Sequence, residues 1–339
     1  MSTLLEGQPD KNLILVTGRA HPRLAQDVAG QLGIDVLKTT AYDFANGEIY
    51  VRYTESVRGA DAFVLQTHAG EINKAIMEQL IMIDALKRAS ARSITAVIPF
   101  LGYSRQDKKH QGREPISCRL VFDLFKTAGA DRIMSVDLHA AQSQGFFDGP
   151  VDHLIAMPVL VDYIRDRFEG HLDNIAVVSP DAGRIRVAEQ WAARLGGGPL
   201  AFVHKTRDIT RPNHAVANRV VGAVEGKDCV LVDDLIDTGG TIAEACKVLQ
   251  SAGAKSVTVV ATHGLFSGPA IDRLKACGAR EVVVTDTVPI PDEKRWPGLT
   301  VLSIAPLLAS AIRAVFADAS VAELFDTYPE HHGQGFLFA

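Results

Sequence analysis

The run VLVDDLIDTGGT, residues 230–241, closes an apolar stretch with two adjacent carboxylates, then adds a third acid, two glycines and two threonines. Gly239 and Gly240 let backbone approach an anion closely, and Thr238 and Thr241 add hydroxyl donors around it. Asp233 and Asp234 would repel such an anion, but they suit sugar hydroxyls or a nearby divalent cation. A sugar phosphate satisfies both demands. An acid pair alone also often caps a turn; the full string, with Asp237 opening the loop, is far more specific. The chain has no GxxxxGK[ST], which excludes a P-loop ATPase, and a receiver domain would carry its acid pair near its own start. Two further groups of cations stand out. SRQDKKHQGR gathers Arg105, Lys108, Lys109 and Arg113, as expected of a loop that reaches a polyphosphate. In LAFVHKTRD, Lys205 and Arg207 are two residues apart, so in an extended strand both point the same way as a paired cation clamp. Two solvated cations on an edge strand are the plainer reading of that spacing.

These residues need a frame that brings them to one edge. DCVLVDD is short, aliphatic and β-branched, which predicts a strand buried on both faces in a parallel sheet. IAEACKVLQSAG places Ile242, Ala245, Val248 and Leu249 at helical spacing, with Gly253 as the stop. The glycine loop therefore joins a strand to a helix N-terminus, where unpaired N–H groups and the helix dipole favour an anion. His139 follows the strand-like RIMSVDL and Asp181 follows NIAVVSP, so both project from strand ends toward the same crest.

The chain also aligns with itself. LKRASARSITAVIPFLGYS from Leu86 matches LQSAGAKSVTVVATHGLFS from Leu249, and AGADRIMSVD from Ala128 matches CGAREVVVTD from Cys277. Such long spacings mean a duplicated α/β domain rather than a solenoid. Where the second half has DDLIDTGGT the first has QTHAGEINK, so only one half keeps the loop. The two spacings also differ, and the extra residues of the first half fall on RQDKKHQGREPI. A chain of 339 residues with 47% hydrophobic and 22% charged content is large enough for two domains. Its net charge of -5 argues against a nonspecific nucleic-acid binder; MSTLLEGQPDK has no basic segment followed by an apolar core, and no stretch reaches the roughly 18 apolar residues of a membrane span, which predicts a cytoplasmic protein. Cys118, Cys229, Cys246 and Cys277 are far apart without CxxC spacing, so they read as buried small residues.

Six motifs, FANGEIYVR, SRQDKKHQGREPIS, VDLHAAQSQGFFDGPVDHL, VVSPDAGR, HKTRD and VLVDDLIDTGGT, occur in the order found in one family. The chain resembles ribose-phosphate pyrophosphokinases, most of all the actinobacterial members, from about Leu13 to Asp326. The resemblance implies two duplicated type I phosphoribosyltransferase-like domains, each a mostly parallel sheet flanked by helices. An N-terminal domain over 1–155 would carry the ATP segments and a domain over 156–305 the ribose 5-phosphate loop. Residues 306–339 would form a helix packed back on the first domain plus a frayed tail from Thr327. The implied reaction moves the β,γ-pyrophosphoryl group of ATP to the 1-hydroxyl of ribose 5-phosphate, giving PRPP and AMP for purine, pyrimidine, NAD, His and Trp synthesis.

By resemblance, Phe44 stacks on adenine, Asn46 and Glu48 contact the base, and Arg105, Gln106 and Asp107 help hold ATP. Asp233, Asp234 and the loop Asp237, Thr238, Gly239, Gly240, Thr241 take ribose 5-phosphate; Lys205 and Arg207 serve the transition state; His139 and Asp181 contact magnesium, two ions per active site. Read without the family, Phe44 is a core aromatic and His139 a hydrogen-bonding core residue. A homohexamer regulated by ADP and phosphate is also implied, with Ser56 and Arg58 at the regulatory position. The sequence departs from the family pattern at Gly102, where many relatives have proline, at Ser104, where they have alanine, and at Arg184, where they have a second glycine. Gly102 predicts a more mobile approach to Arg105. A silent regulatory homologue would be expected to lose the ATP segment or the cation pair, and a phosphoribosyltransferase needs only one such domain.

Overall fold

The computed structural model describes residues 11–207 and 215–326. The chain divides into two compact units: one runs through Ile155 and adds Thr287–Pro289 and the chain from Ala305, and the other comprises Ala156–Asp286 and Ile290–Ile304.

The first unit is built from β1 (Leu13–Thr17), α1 (Pro22–Leu32), β2 (Thr39–Asp43), β3 (Ile49–Tyr53), β4 (Asp61–Leu65), α2 (Ile72–Arg88), β5 (Ser93–Ile98), α3 (Ser117–Ala128), β6 (Arg132–Val136) and β7 (Val151–Leu154). Five strands form a parallel sheet in the order β1-β4-β5-β6-β7, while β2 and β3 pair antiparallel as a separate ribbon. Every residue of β4 is buried, as a strand covered on both faces requires. The second unit contains α4 (Met157–Arg167), β8 (Ile175–Ser179), α5 (Ile185–Arg194), β9 (Leu200–Arg207), β10 (Ala215–Val221), β11 (Asp228–Ile236), α6 (Gly240–Ser251), β12 (Ser256–Gly264), α7 (Ala270–Ala276), β13 (Glu281–Thr285) and β14 (Leu299–Leu302). Its sheet runs β10-β9-β8-β11-β12-β13-β14, parallel except for the β9–β10 hairpin. A further helix, α8 (Ala305–Phe316), belongs to the first unit and packs on α1, where Arg313 Nη2 donates to the Gln31 carbonyl at 3.0 Å.

The expected duplication is visible strand by strand. β1-β4-β5-β6-β7 and β8-β11-β12-β13-β14 have the same order and direction, and Leu13 faces Asp61 as Ile175 faces Asp228. Even a polar anchor is repeated. Asp61 accepts from Arg92 Nε at 2.8 Å and Ser93 Oγ at 2.6 Å; Asp228 accepts from Lys255 Nζ at 3.0 Å and Ser256 Oγ at 2.7 Å. Each pins the start of one strand to the start of its neighbour. The halves differ on the far side of the first strand, where β9–β10 extends the sheet but β2–β3 stands alone. They differ again after β5, whose connection to α3 spans 99–116, whereas β12 reaches α7 through 265–269. All four cysteines are buried, as their isolation in sequence predicts.

Candidate active site

In the second unit β11 does carry the acids at its carboxyl end, although the strand continues past Asp233 and Asp234 to Ile236. The strand buries its first five residues, the anchoring Asp228 among them, and leaves Asp233 and Asp234 half-buried. α6 then starts at Gly240, two residues before the expected helix. It buries Ile242, Ala245, Cys246 and Leu249 on one stripe, and Gly253, at φ 83°, follows its end. The first four N–H groups of a helix have no acceptor within it, so the turn directs its amides outward. Gly239 caps the helix at φ 70°, a left-handed conformation that strains any residue with a Cβ. A Cβ there would also lie 3.3 Å from the Ala270 carbonyl oxygen and 3.4 Å from its Cα. The turn is thus wedged against α7. Its position is fixed by Ser267, whose N–H donates to the Asp237 carbonyl at 2.9 Å, and by Arg273, whose Nη1 donates to the Thr238 carbonyl at 3.0 Å. Arg273 is a basic neighbour that the loop sequence does not announce, because it lies a helix and a strand downstream.

Arg184, one of the departures from the family pattern, meets the acid pair. Its Nη2 lies 2.7 Å from Asp234 Oδ2 and its Nε 3.5 Å from Asp233 Oδ1. Burial, with the charge of Asp234 beside it, pushes the Asp233 carboxyl well above the usual carboxylate range, and Arg184 opposes that shift. Asp181 stands at the head of the short turn Ala182–Arg184, accepting from the Gly183 N–H at 2.8 Å. Lys205 and Arg207 fall on β9, but their side chains lie outside the described residues.

The corresponding crest of the first unit is filled by its own side chains. Gln66 follows β4 as Asp233 follows the matching part of β11; its Nε2 donates to Glu78 at 2.7 Å and its Oε1 accepts from the Ala20 N–H at 3.1 Å. Arg19 donates its N–H to the same buried Glu78 and reaches Asp43 with Nη2 at 2.7 Å. A Cβ on Gly18 would lie 2.4 Å from the Gln66 amide. Asp43 is also held by Lys74 at 2.6 Å, and it ends β2 immediately before Phe44. These anchors were not read from the sequence, because Arg19, Lys74 and Glu78 belong to no motif.

Phe44 is not a core aromatic. It is 46% exposed and packs edge-on against Tyr42 at 5.4 Å, at a turn where its N–H donates to the Glu48 carbonyl at 2.7 Å. Asn46 Oδ1 accepts from the Glu48 N–H at 3.1 Å, so all three expected base-contacting residues share one exposed turn. Arg105 and Gln106 are exposed at the start of the long connection after β5, with Asp107 half-buried beside them. Their approach is held in a way opposite to the mobility that Gly102 predicts. Gly102 is buried and donates its N–H to His68 Nδ1 at 3.1 Å, and a Cβ there would lie 2.8 Å from Ile72 Cγ2. His68 Nε2 bonds Gln79 Oε1 at 2.9 Å, and burial pushes its imidazole down to about 4. His139 is half-buried beyond β6 in the first unit, and Ser56 and Arg58 are exposed after β3. Asp181 offers the hard oxygens that magnesium takes, whereas the His139 imidazole is an uncommon partner for it. Among the described residues, no group of three or more His, Cys, Asp or Glu side chains is arranged to hold a metal ion.

A duplicated, mostly parallel α/β chain with acids and a glycine turn at one strand-to-helix crest has the features of a site for a phosphorylated ligand. Residues 13–129 match the family described as the N-terminal domain of ribose phosphate pyrophosphokinase, and residues 203–326 match the phosphoribosyl synthetase-associated domain. A ribose-phosphate pyrophosphokinase of Bifidobacterium longum is 88% identical over 339 residues, all of both chains. One of Corynebacterium glutamicum is 64% identical over 94% of this chain and 97% of its own. The crystal structure of phosphoribosylpyrophosphate synthetase from Mycobacterium smegmatis aligns with a TM-score of 0.87 at 62% identity, covering 91% of this chain and 100% of that one. The chain belongs to the ribose-phosphate pyrophosphokinase family. No helix among the described residues is long and apolar enough to cross a membrane.

Proposed function

We propose that the protein binds ribose 5-phosphate at the crest of β11 and α6 and ATP through segments of the first unit, and makes PRPP and AMP. The observation that carries this is the turn from Asp237 to Thr241, packed against α7 at Gly239, opening a helix N-terminus and set beside two carboxylates. Amides of the turn, with the Thr238 and Thr241 hydroxyls, would hold the 5-phosphate. Asp233 and Asp234 would accept hydrogen bonds from the ring hydroxyls. Phe44 would stack on adenine while Asn46 and Glu48 read its edge, and Arg105, Gln106 and Asp107 would hold the nucleotide.

In the reaction, the 1-hydroxyl oxygen of the pentose bonds to the β-phosphorus of ATP. The bond from that phosphorus to the α,β-bridging oxygen breaks, AMP leaves, and the hydroxyl proton is released. Lys205 and Arg207 would offset the charge that accumulates on the transferred oxygens, so their work is positioning and electrostatic stabilisation. Asp181 and His139 would hold magnesium, two ions per site, which when bound neutralises phosphoryl charge. A cytoplasmic homohexamer answering to ADP and phosphate near Ser56 and Arg58 completes the reading.

Incubation with ATP, magnesium and ribose 5-phosphate tests it. AMP and PRPP in equal amounts support the reading; neither product, from folded protein, points to a silent homologue. Lys205→Ala is expected to lower turnover far more than ATP affinity, and equal losses would restrict Lys205 to ground-state binding.

A further inference from the structure

Asp233, Asp234 and Asp237 place three carboxylates within five residues of a turn that is to receive a phosphate. Placed alone there, they would work against the ligand they help to bind. The structure provides an answering charge from the neighbouring strand. β8 lies parallel to β11, with Val178 opposite Leu231, and the Ala182–Arg184 turn at its end brings one guanidinium to both acids. The Arg184 side chain is 19% exposed, and those of Asp233 and Asp234 are 16% and 8% exposed, so water screens the three charges little.

We propose that Arg184 is a positioning residue for the pentose: by spanning Asp233 and Asp234 it fixes both carboxylates and offsets their charge, so that a phosphorylated sugar can lie against them. The inference rests on the reading of this crest as the ribose 5-phosphate site. A carboxylate can accept several hydrogen bonds at once, so the ion pair is compatible with a sugar hydroxyl at the same acid. A guanidinium is planar, and its fork can address two carboxylates together, whereas an ammonium is a point charge. A glycine at 184 could do neither. In this chain, control of the acid pair is thus built into the turn that also carries Asp181.

The test is the pair Arg184→Ala and Arg184→Lys in the full-length protein, with direct calorimetric binding of ribose 5-phosphate, KM for each substrate, and kcat. Losing a charge-assisted hydrogen-bonded pair at a little-hydrated site is expected to weaken ribose 5-phosphate binding by about ten-fold or more. ATP KM and kcat should change by less than about three-fold, with Arg184→Lys between wild type and Arg184→Ala. Arg184→Lys carries the test if the alanine variant does not fold. Unchanged ribose 5-phosphate affinity, or an equal rise in both KM values, overturns the proposal. Wild-type protein that binds no ribose 5-phosphate refutes the reading of the site itself, which is a separate outcome.

Discussion

Replacing Gly239 by alanine perturbs the turn at the point where its backbone is least forgiving. With φ at 70°, a Cβ costs about 1–2 kcal/mol, the general cost of the left-handed region for L-residues. The new methyl would also stand 3.3–3.5 Å from Ala270 and Leu274, and two of the three nearest atoms are α7 backbone that cannot rotate away. If the loop holds its place, Tm falls by about 2–8 °C. If the loop opens instead, the same strain appears as about a five- to thirty-fold loss of ribose 5-phosphate affinity. Gly240→Ala is the control. Gly240 has no positive φ, its nearest neighbour is the flexible end of Arg273 at 3.4 Å, and it opens a helix that alanine favours, so stability should hold or rise. Differential scanning calorimetry with and without ribose 5-phosphate separates the two routes. A Gly239→Ala protein with wild-type Tm and affinity would refute the account of the wedged turn.

Three other outcomes follow from the same structure. Gly102→Pro, toward the family pattern, should destabilise the protein by about 1–3 kcal/mol in urea unfolding, because it removes the donor to buried His68 and meets Ile72; an unchanged midpoint would contradict this. His68 and His153 are both pushed down to about 4, so the unfolded chain takes up protons that the native one refuses as pH falls from 6.5 toward 4. The native state is thereby destabilised by up to about 3 kcal/mol per imidazole as pH falls through that window, and not at all above pH 6.5; His68→Gln should flatten the loss seen by urea titration. Arg273→Ala should raise the ribose 5-phosphate KM several-fold without moving the ATP KM, since it frees the Thr238 carbonyl; equal shifts in both would assign it a general structural role.

Much of this architecture could be read from residues alone. The apolar run before Asp233, the stripe through Ile242 and Leu249, and the self-alignment between halves each reflect a physical period or a strand burial that survives folding. Gly239 was legible for the same reason, since a glycine pair at a strand-to-helix turn has a backbone cause. What escaped was long-range. Arg184 lies near Asp234 through the pairing of β8 with β11, and nothing in the local spacing joins residue 184 to 234. Arg19, Glu78 and Gln66 meet at the first crest by the same kind of strand neighbourhood. The rigidity at Gly102 is not legible from residue type, because it is set by a buried imidazole and the start of α2.

The most direct test is a crystal structure of the protein with ribose 5-phosphate and a non-hydrolysable ATP analogue. The 5-phosphate is expected within hydrogen-bonding distance of the amides from Thr238 to Thr241, and a ring hydroxyl on Asp233 or Asp234. A sugar phosphate bound with its phosphate away from that turn would contradict this.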